Sequence, residues 1–246
     1  MTRLHSALAL VAVLAFSVAC DDEVITADLV ETAPPAAEMS PSDEPAGDAA
    51  DEKAADATEE SEEATPPEVA PKHPELGKLA PEFKLKDLDG TEHAISSFRG
   101  KIVVIEWINH GCPFVKKHYK AGNMQALQKQ AKDKDVVWLS ICSSAEGKQG
   151  HMSAEDWKKT QAEKKAMPTA VLLDTPGDVG RQYQVKKTPT MFVLDAEGRV
   201  AYMGAIDDNA RAKGADIAKA KNYVMAAVDA LKAGKTPEVT STDAYG

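Results

Sequence analysis

Residues Trp107 to Tyr119 read WINHGCPFVKKHY. A lone cysteine stands between an apolar run and a lysine-rich segment, with a proline directly after it. Cys112 therefore has three candidate fates: a working thiol, a metal ligand or a core residue. Its position bears on the choice. Pro113 is suited to the first position of a helix, where its missing N–H is not needed. A cysteine just before that position faces unpaired backbone N–H groups and the positive end of the helix dipole. Both favour thiolate over thiol, and Lys116, Lys117 and His118 add positive charge within two turns. Position thus argues for a reactive cysteine over a buried structural thiol.

Working outward, strands and helices alternate. KIVVIEWI (101–108) is a nearly continuous apolar run, as expected of a strand buried on both faces. The segment 113–132 reads as a helix, with an interruption or kink signalled at Gly122-Asn123. DVVWLSIC (135–142) is a second buried strand, followed by a polar loop and a helix over 154–165. TAVLLD (169–174) is a short strand, and GDVGRQYQV (177–185) contains a helical turn. TMFVLDAEGRVAYMG (190–204) is a hairpin turning at Ala196-Glu197-Gly198. A last helix over 217–232 stops near Gly234. This order predicts an α/β fold: a central sheet with helices on both faces. About 165 residues suffice for one sizeable core, and no internal repeat is evident.

These residues resemble a family. A buried strand ending in an acid and an aromatic, then a short loop, Cys-Pro and a helix, is similar to the thioredoxin fold. LAPEFKLKDLDG (79–90), FRGKIVVIEW (98–107), the segment 172–208 and NYVMAAVDALKAGK (222–235) resemble redoxin domains of the peroxiredoxin and thiol-disulfide oxidoreductase kind. The nearest likeness is to a peroxiredoxin-like, AhpC/TSA-type group carrying NHxCPFVK at a single-cysteine site. It runs from about Leu79 to Lys235. The resemblance implies a thioredoxin-like fold with a central mixed β-sheet and Cys112 as nucleophile toward a disulfide or a peroxide. The expected activity is that of a thiol-disulfide oxidoreductase or a weak thiol peroxidase with an antioxidant role. Glu106 matches the buried acid that moves protons in thioredoxins, if burial raises its pKa; pairing with a lysine such as Lys101 is the alternative. Thr188-Pro189-Thr190 resembles the cis-proline loop that faces the active cysteine. There the Thr188 backbone offers an incoming chain a hydrogen-bonding edge. This sequence departs from the family in two ways. Val115 stands where the second cysteine of Cys-x-x-Cys would be. Ile105 and Asn109 occupy the proline and threonine positions of the peroxidatic Pro-x-x-x-Thr-x-x-Cys signature.

Cys142 is the candidate replacement for the missing thiol. It ends a strand parallel to the one before Cys112, on the same sheet edge. A bond requires the Cα atoms to lie within roughly 7 Å. A redox-active pair, a static disulfide and two independent thiols all remain open at this level. Metal binding is a reading of a different class. His110, Cys112, His118 and Cys142 form a possible thiolate–imidazole set suited to copper or zinc, although copper-carrying thioredoxin-fold proteins use a Cys-x-x-x-Cys spacing that is missing here. A non-catalytic partner-binding module using the edge near Pro189 is the third reading. No organic cofactor is implied.

The N-terminal part has a different character. Arg3 precedes ALALVAVLAFSVA (7–19), an apolar run too short for a spanning helix, which reads as a signal peptide over 1–19. Ser17-Val18-Ala19 fits ordinary cleavage. The same stretch ending in Cys20 resembles a bacterial lipoprotein signal, with Ser17 where leucine is usual. Lipid attachment at Cys20 is expected, with plain secretion as the alternative. Residues 21–70 hold 17 Asp/Glu against Lys53 alone, with six prolines, twelve alanines and no aromatic residue. Such a segment cannot bury enough apolar surface to offset chain entropy. A disordered acidic tether over 20–72 follows, joined to the domain at 73–236 and a C-terminal tail at 237–246. The whole chain carries −10. The acidic segment supplies −16 and Arg3 +1, which leaves residues 71–246 at +5. The lysines are scattered and the aromatics few, so nothing points to nucleic acid. The expected setting is exported, on the periplasmic side of a bacterial membrane and lipid-anchored. Partners there would be disulfide or peroxide substrates and an external thiol reductant.

Overall fold

The sheet is built around two strands whose every side chain is buried, β3 (Val103–Trp107) and β4 (Val137–Cys142). Their nearly continuous apolar character, broken only by the buried Glu106 and Ser140, leaves neither face free for solvent, so both must be covered. The computed structural model describes residues 70–211 and 217–246. Seven strands form one mixed sheet in the order β2-β1-β5-β4-β3-β6-β7. The other strands are β1 (Lys84–Asp87), β2 (Glu92–Ala94), β5 (Ala170–Leu173), β6 (Thr190–Leu194) and β7 (Val200–Gly204). β3, β4 and β5 run parallel, with Trp107 opposite Ile141. β6 and β7 return antiparallel beside β3, and β1 and β2 close the other edge in the same sense.

Alternation along β3 divides the core into two layers. Val104 and Ile108 look toward α1 (Pro113–Lys120), α2 (Asn123–Asp133) and α5 (Tyr223–Lys232), through Val115, Tyr119, Met124, Leu127, Val224 and Val228. Trp157 of α3 (Ala154–Lys164) joins this layer. Val103, Ile105 and Trp107 look the other way, toward Val179 of α4 (Asp178–Gln182), Tyr183 and the N-terminal residues Phe83 and Ile95. Helices therefore cover both faces of a central mixed sheet, as the sequence predicts.

Several boundaries differ from the sequence reading. The single helix expected over 113–132 is two. Gly122 adopts φ 71°, a left-handed conformation natural to glycine, and α2 restarts beyond it. The last helix begins at Tyr223 rather than 217, because Asn222 caps it by accepting the Met225 N–H at 2.8 Å. The β1–β2 hairpin carries no strand signal in the sequence. Its strands are four and three residues long, too short to show periodicity. The segment 237–246, set apart as a tail, lies along β7, with Ser241 bridged parallel to Met203.

Gly204 admits that segment. Its φ is +141°, and a methyl group there would collide with the Thr242 backbone. Gly204→Ala is expected to destabilise the fold by about 1–3 kcal/mol, read as a lower urea midpoint with an unchanged slope. The leader 1–19, Cys20 and nearly all of the 20–72 tether lie outside the described residues. Among the described residues no helix is long and apolar enough to cross a membrane.

Candidate active site

Cys112 caps α1 with extended backbone, φ −69° and ψ 131°, and Pro113 follows at the first helical position. The Lys116 N–H reaches the Cys112 carbonyl at 2.9 Å and closes the first turn. The loop before it is fixed by Asn109. The Asn109 carbonyl accepts the Cys112 N–H at 2.9 Å, and its side-chain oxygen accepts the Gly111 N–H at 2.7 Å. The Asn109 amide donates to the Gln149 carbonyl at 3.0 Å. A Cβ on Gly111 would stand 2.5 Å from the Gln149 side chain, so a larger residue there would push that side chain aside.

The Cys112 side chain is 9% exposed. Its Sγ donates to the Thr188 carbonyl at 3.1 Å. The Thr188-Pro189 bond is cis, as the sequence predicts. The fold thus brings Cys112, Pro113, Thr188 and Pro189 together across 76 positions of sequence. Cys142 is placed differently. It is buried at the end of β4, and its Sγ faces the Gly150 carbonyl at 3.5 Å. Neither cysteine is in a disulfide. Cys112 turns toward the loop leading into β6 and Cys142 toward the loop leaving β4, while β3 lies between those two strands.

Glu106 faces the α1–α2 layer, the same layer in which Cys112 packs. It is fully buried. Trp138 Nε1 and Ser140 Oγ each donate to it at 2.9 Å, and the Tyr119 hydroxyl donates at 3.3 Å. Gln128 supports Tyr119 by donating to its oxygen at 3.2 Å. Burial raises the Glu106 pKa against the pull of these donors. The alternative pairing with Lys101 is overturned, because Lys101 bonds Asp135 at 2.8 Å on the exterior.

The histidines face elsewhere. His110 packs against the rings of Tyr119 and Trp157, with Nδ1 lacking a partner. Both nitrogens of His118 are engaged. The Asn123 amide lies 2.9 Å from Nδ1 and the Tyr245 hydroxyl 3.1 Å from Nε2. Tyr245 donates onward to Asp207. Among the described residues no three His, Cys, Asp or Glu side chains form a group able to hold a metal. The possible ligand set His110, Cys112, His118 and Cys142 is therefore not assembled.

Burial and the Lys117 charge lower the His118 pKa to about 3, and burial with Lys164 lowers that of His110 to about 4. Both lie below their ordinary value near 6.5. The stability they contribute is present above pH 6.5 and is lost as pH falls toward the folded values. At pH 5 the loss is about 2 kcal/mol per ring. His118→Gln removes one of these rings. The stability gap between parent and variant is expected to narrow by about that amount between pH 7 and 5, measured by urea unfolding.

The sequence reading did not single out Tyr119, Trp138, Ser140, Asp207 or Tyr245. Tyr119 was detectable in principle, four residues after Val115 and so on the buried side of α1. Asp207 and Tyr245 are distant in sequence and carried no local signal.

Comparison with known proteins is consistent with this geometry. A family model described as the AhpC/TSA family matches residues 76–203. The thioredoxin-like protein YneN of Bacillus subtilis is 29% identical over 122 residues, covering 50% of this chain and 66% of that protein. The thiol-disulfide oxidoreductase ResA of Geobacillus kaustophilus is 30% identical over 132 residues, covering 51% and 66%. The match thus spans just under two thirds of each relative. An uncharacterized conserved protein of Geobacillus kaustophilus, known by crystal structure, superposes with a TM-score of 0.60 at 28% identity, covering 68% of this chain and 87% of that one. The fold is thioredoxin-like, and the chain's relatives include thiol-disulfide oxidoreductases.

Proposed function

Because the chain belongs to the AhpC/TSA family, whose model matches residues 76–203, we propose that it is a thiol oxidoreductase with Cys112 as its nucleophile. One observation carries this reading. Cys112 caps a helix with its sulfur 3.1 Å from the Thr188 carbonyl, beside the cis Thr188-Pro189 bond. In exchange, the Cys112 sulfur attacks one sulfur of a disulfide. A mixed disulfide forms, the original S–S bond breaks, and the leaving thiolate departs with the electron pair. A second thiol then releases the product. With a peroxide, the same sulfur takes one oxygen to become a sulfenic acid, and an alcohol or water leaves. Disulfides are the favoured substrate, because Ile105 and Asn109 stand where the peroxidatic signature has proline and threonine.

The supporting roles proposed are these. Pro113 fixes the first helical residue after Cys112. Thr188 and Pro189 position the substrate opposite the sulfur. Glu106 is the proton carrier, supported by its raised pKa and by the lack of a cation among its hydrogen-bond partners. Cys142 is the candidate resolving thiol and must swing away from Gly150 to reach Cys112; an external thiol resolves otherwise. The reaction as written needs no organic cofactor. The finer assignment is to the single-cysteine group with Asn-His-x-Cys-Pro-Phe-Val-Lys at the site. The setting proposed is exported, on the periplasmic side, with Cys20 as the lipid attachment.

Intact mass and peptide mapping before and after mild peroxide, on the parent and on Cys142→Ser, test this. A loss of two protons in the parent and a trappable Cys112 sulfenic acid in the variant support Cys142 as resolver. A stable Cys112 sulfenic acid in both assigns resolution to an external thiol. An unmodified Cys112 in both excludes the peroxide reaction, and a Cys112 that also forms no mixed disulfide with a small disulfide reagent overturns the proposal.

A further inference from the structure

The Thr188 backbone beside Cys112 is already covered by the chain itself. A methyl group on Gly246 would stand 2.5 Å from the Thr188 carbonyl oxygen and 3.0 Å from its nitrogen. The end of the 237–246 segment therefore lies on the edge where an incoming extended peptide would pair. The contact is held at two places. At one, Thr242 seats against β7. Its N–H reaches the Met203 carbonyl at 3.2 Å, its hydroxyl accepts the Ala205 N–H at 2.9 Å, and that hydroxyl meets the Tyr202 hydroxyl at 2.7 Å. Gly204 leaves the space for it.

At the other, Tyr245 docks on the helix that Cys112 caps. Its ring lies 5.8 Å from that of Phe114 and beneath the Lys117 ammonium at 4.5 Å. Its hydroxyl joins His118 to Asp207. Lys117 is held in turn by the carbonyls of Asn209 and Arg211. Beside these anchors runs a cleft of about 450 Å³, lined by Lys187, Thr190, Thr242, Asp243 and Ala244 among others. The segment thus borders open space along part of its length. Such a segment opens more cheaply than the core.

We propose that residues 241–246 act as a strap that restricts Cys112 to low-molecular-weight disulfides. While seated, the strap occupies the Thr188 edge, so a peptide cannot add there as an extended strand. A small disulfide needs only the sulfur. Cys112 attacks it, one S–S bond forms as the other breaks, and the small thiolate leaves. This proposal rests on the reading of Cys112 as the nucleophile. A protein substrate is served only after the strap lifts, and its rate is reduced by the fraction of time the strap is open.

The test uses the full chain and two reagents bearing the same thionitrobenzoate mixed disulfide, one on N-acetylcysteine and one on an extended peptide. Release is followed by absorbance, and the adduct is assigned to Cys112 by peptide mapping. Parent, Tyr245→Ala and Gly246→Ala are compared. Tyr245→Ala removes the anchor, whereas Gly246→Ala only pushes the strap off Thr188 and leaves the buried network in place. The small reagent is expected to react at Cys112 about tenfold faster than the peptide in the parent. In the variants the peptide rate is expected to rise toward that of the small reagent, whose own rate stays unchanged. Equal rates in the parent, or a peptide rate unmoved by Gly246→Ala, would overturn the strap alone. A Cys112 inert to both reagents in all three chains overturns the oxidoreductase reading and the strap with it.

Discussion

Cys112→Ser is expected to lower thiol–disulfide exchange by a factor on the order of 10³ or more, with little change in stability. The serine hydroxyl can donate to the Thr188 carbonyl as the thiol does at 3.1 Å. The backbone cap, with the Lys116 N–H on the residue 112 carbonyl, does not involve the side chain. What is lost is a sulfur able to form and break S–S bonds, and no other group near Thr188 supplies one. Cys142→Ser provides the contrast. With Cys142 as the proposed resolver, it is expected to leave the first attack by Cys112 intact and to slow only the release of the mixed disulfide, so that a burst of one equivalent precedes turnover driven by external thiol. Stopped-flow measurement of thiol release distinguishes the two variants. Thermal unfolding confirms that both remain folded.

Glu106 carries the second large effect, and its two substitutions separate structure from chemistry. Glu106→Ala leaves the donors on Trp138, Ser140 and Tyr119 facing a void inside the core. Each orphaned donor costs about 1–3 kcal/mol, so a total of about 3–9 kcal/mol is expected and the variant is expected to be marginal. Glu106→Gln keeps an acceptor in place and removes the ionisation. It is expected to fold, and to slow exchange on the order of a hundredfold with one limb of the pH–rate profile lost. An unchanged profile in Glu106→Gln would reduce Glu106 to a structural acceptor. The sign for stability is opposite to that of the histidines. Burial raises the Glu106 pKa, so its contribution is full at low pH and is lost as pH rises through the folded value. Glu106→Gln should remove this decline in urea unfolding above the ordinary carboxylate range.

The readable parts of the fold were those governed by local chemistry. KIVVIEWI and VVWLSIC read as strands buried on both faces, and they are the two centres of the sheet. Cys112 before Pro113 gave the helix start directly, and Thr188-Pro189 gave the loop opposite. The environment of Glu106 was legible only as a buried acid. Trp138, Ser140, Tyr119 and Gln128 come from three other elements, β4, α1 and α2, and no spacing in the sequence indicates that they converge. The same holds for Tyr245 and Asp207. Tyr245 sits among threonines, a serine, an aspartate and an alanine, a composition that suggests a loose end. Its place against α1 is set by a tertiary contact made 127 residues from His118. The relation between the two cysteines also depended on tertiary detail. Both end up at the same sheet edge, as parallel strands require, while their sulfurs face carbonyls on different loops.

Site-resolved labelling of the native full chain with a small disulfide tests the central claim most directly. Adducts would be quantified at Cys112 and Cys142 by peptide mapping as a function of time. Modification of Cys112 at least about tenfold ahead of Cys142 is the result expected from a sulfur set at a helix N-terminus beside Thr188. Modification of Cys142 first, or of neither cysteine until the chain is unfolded, would contradict it.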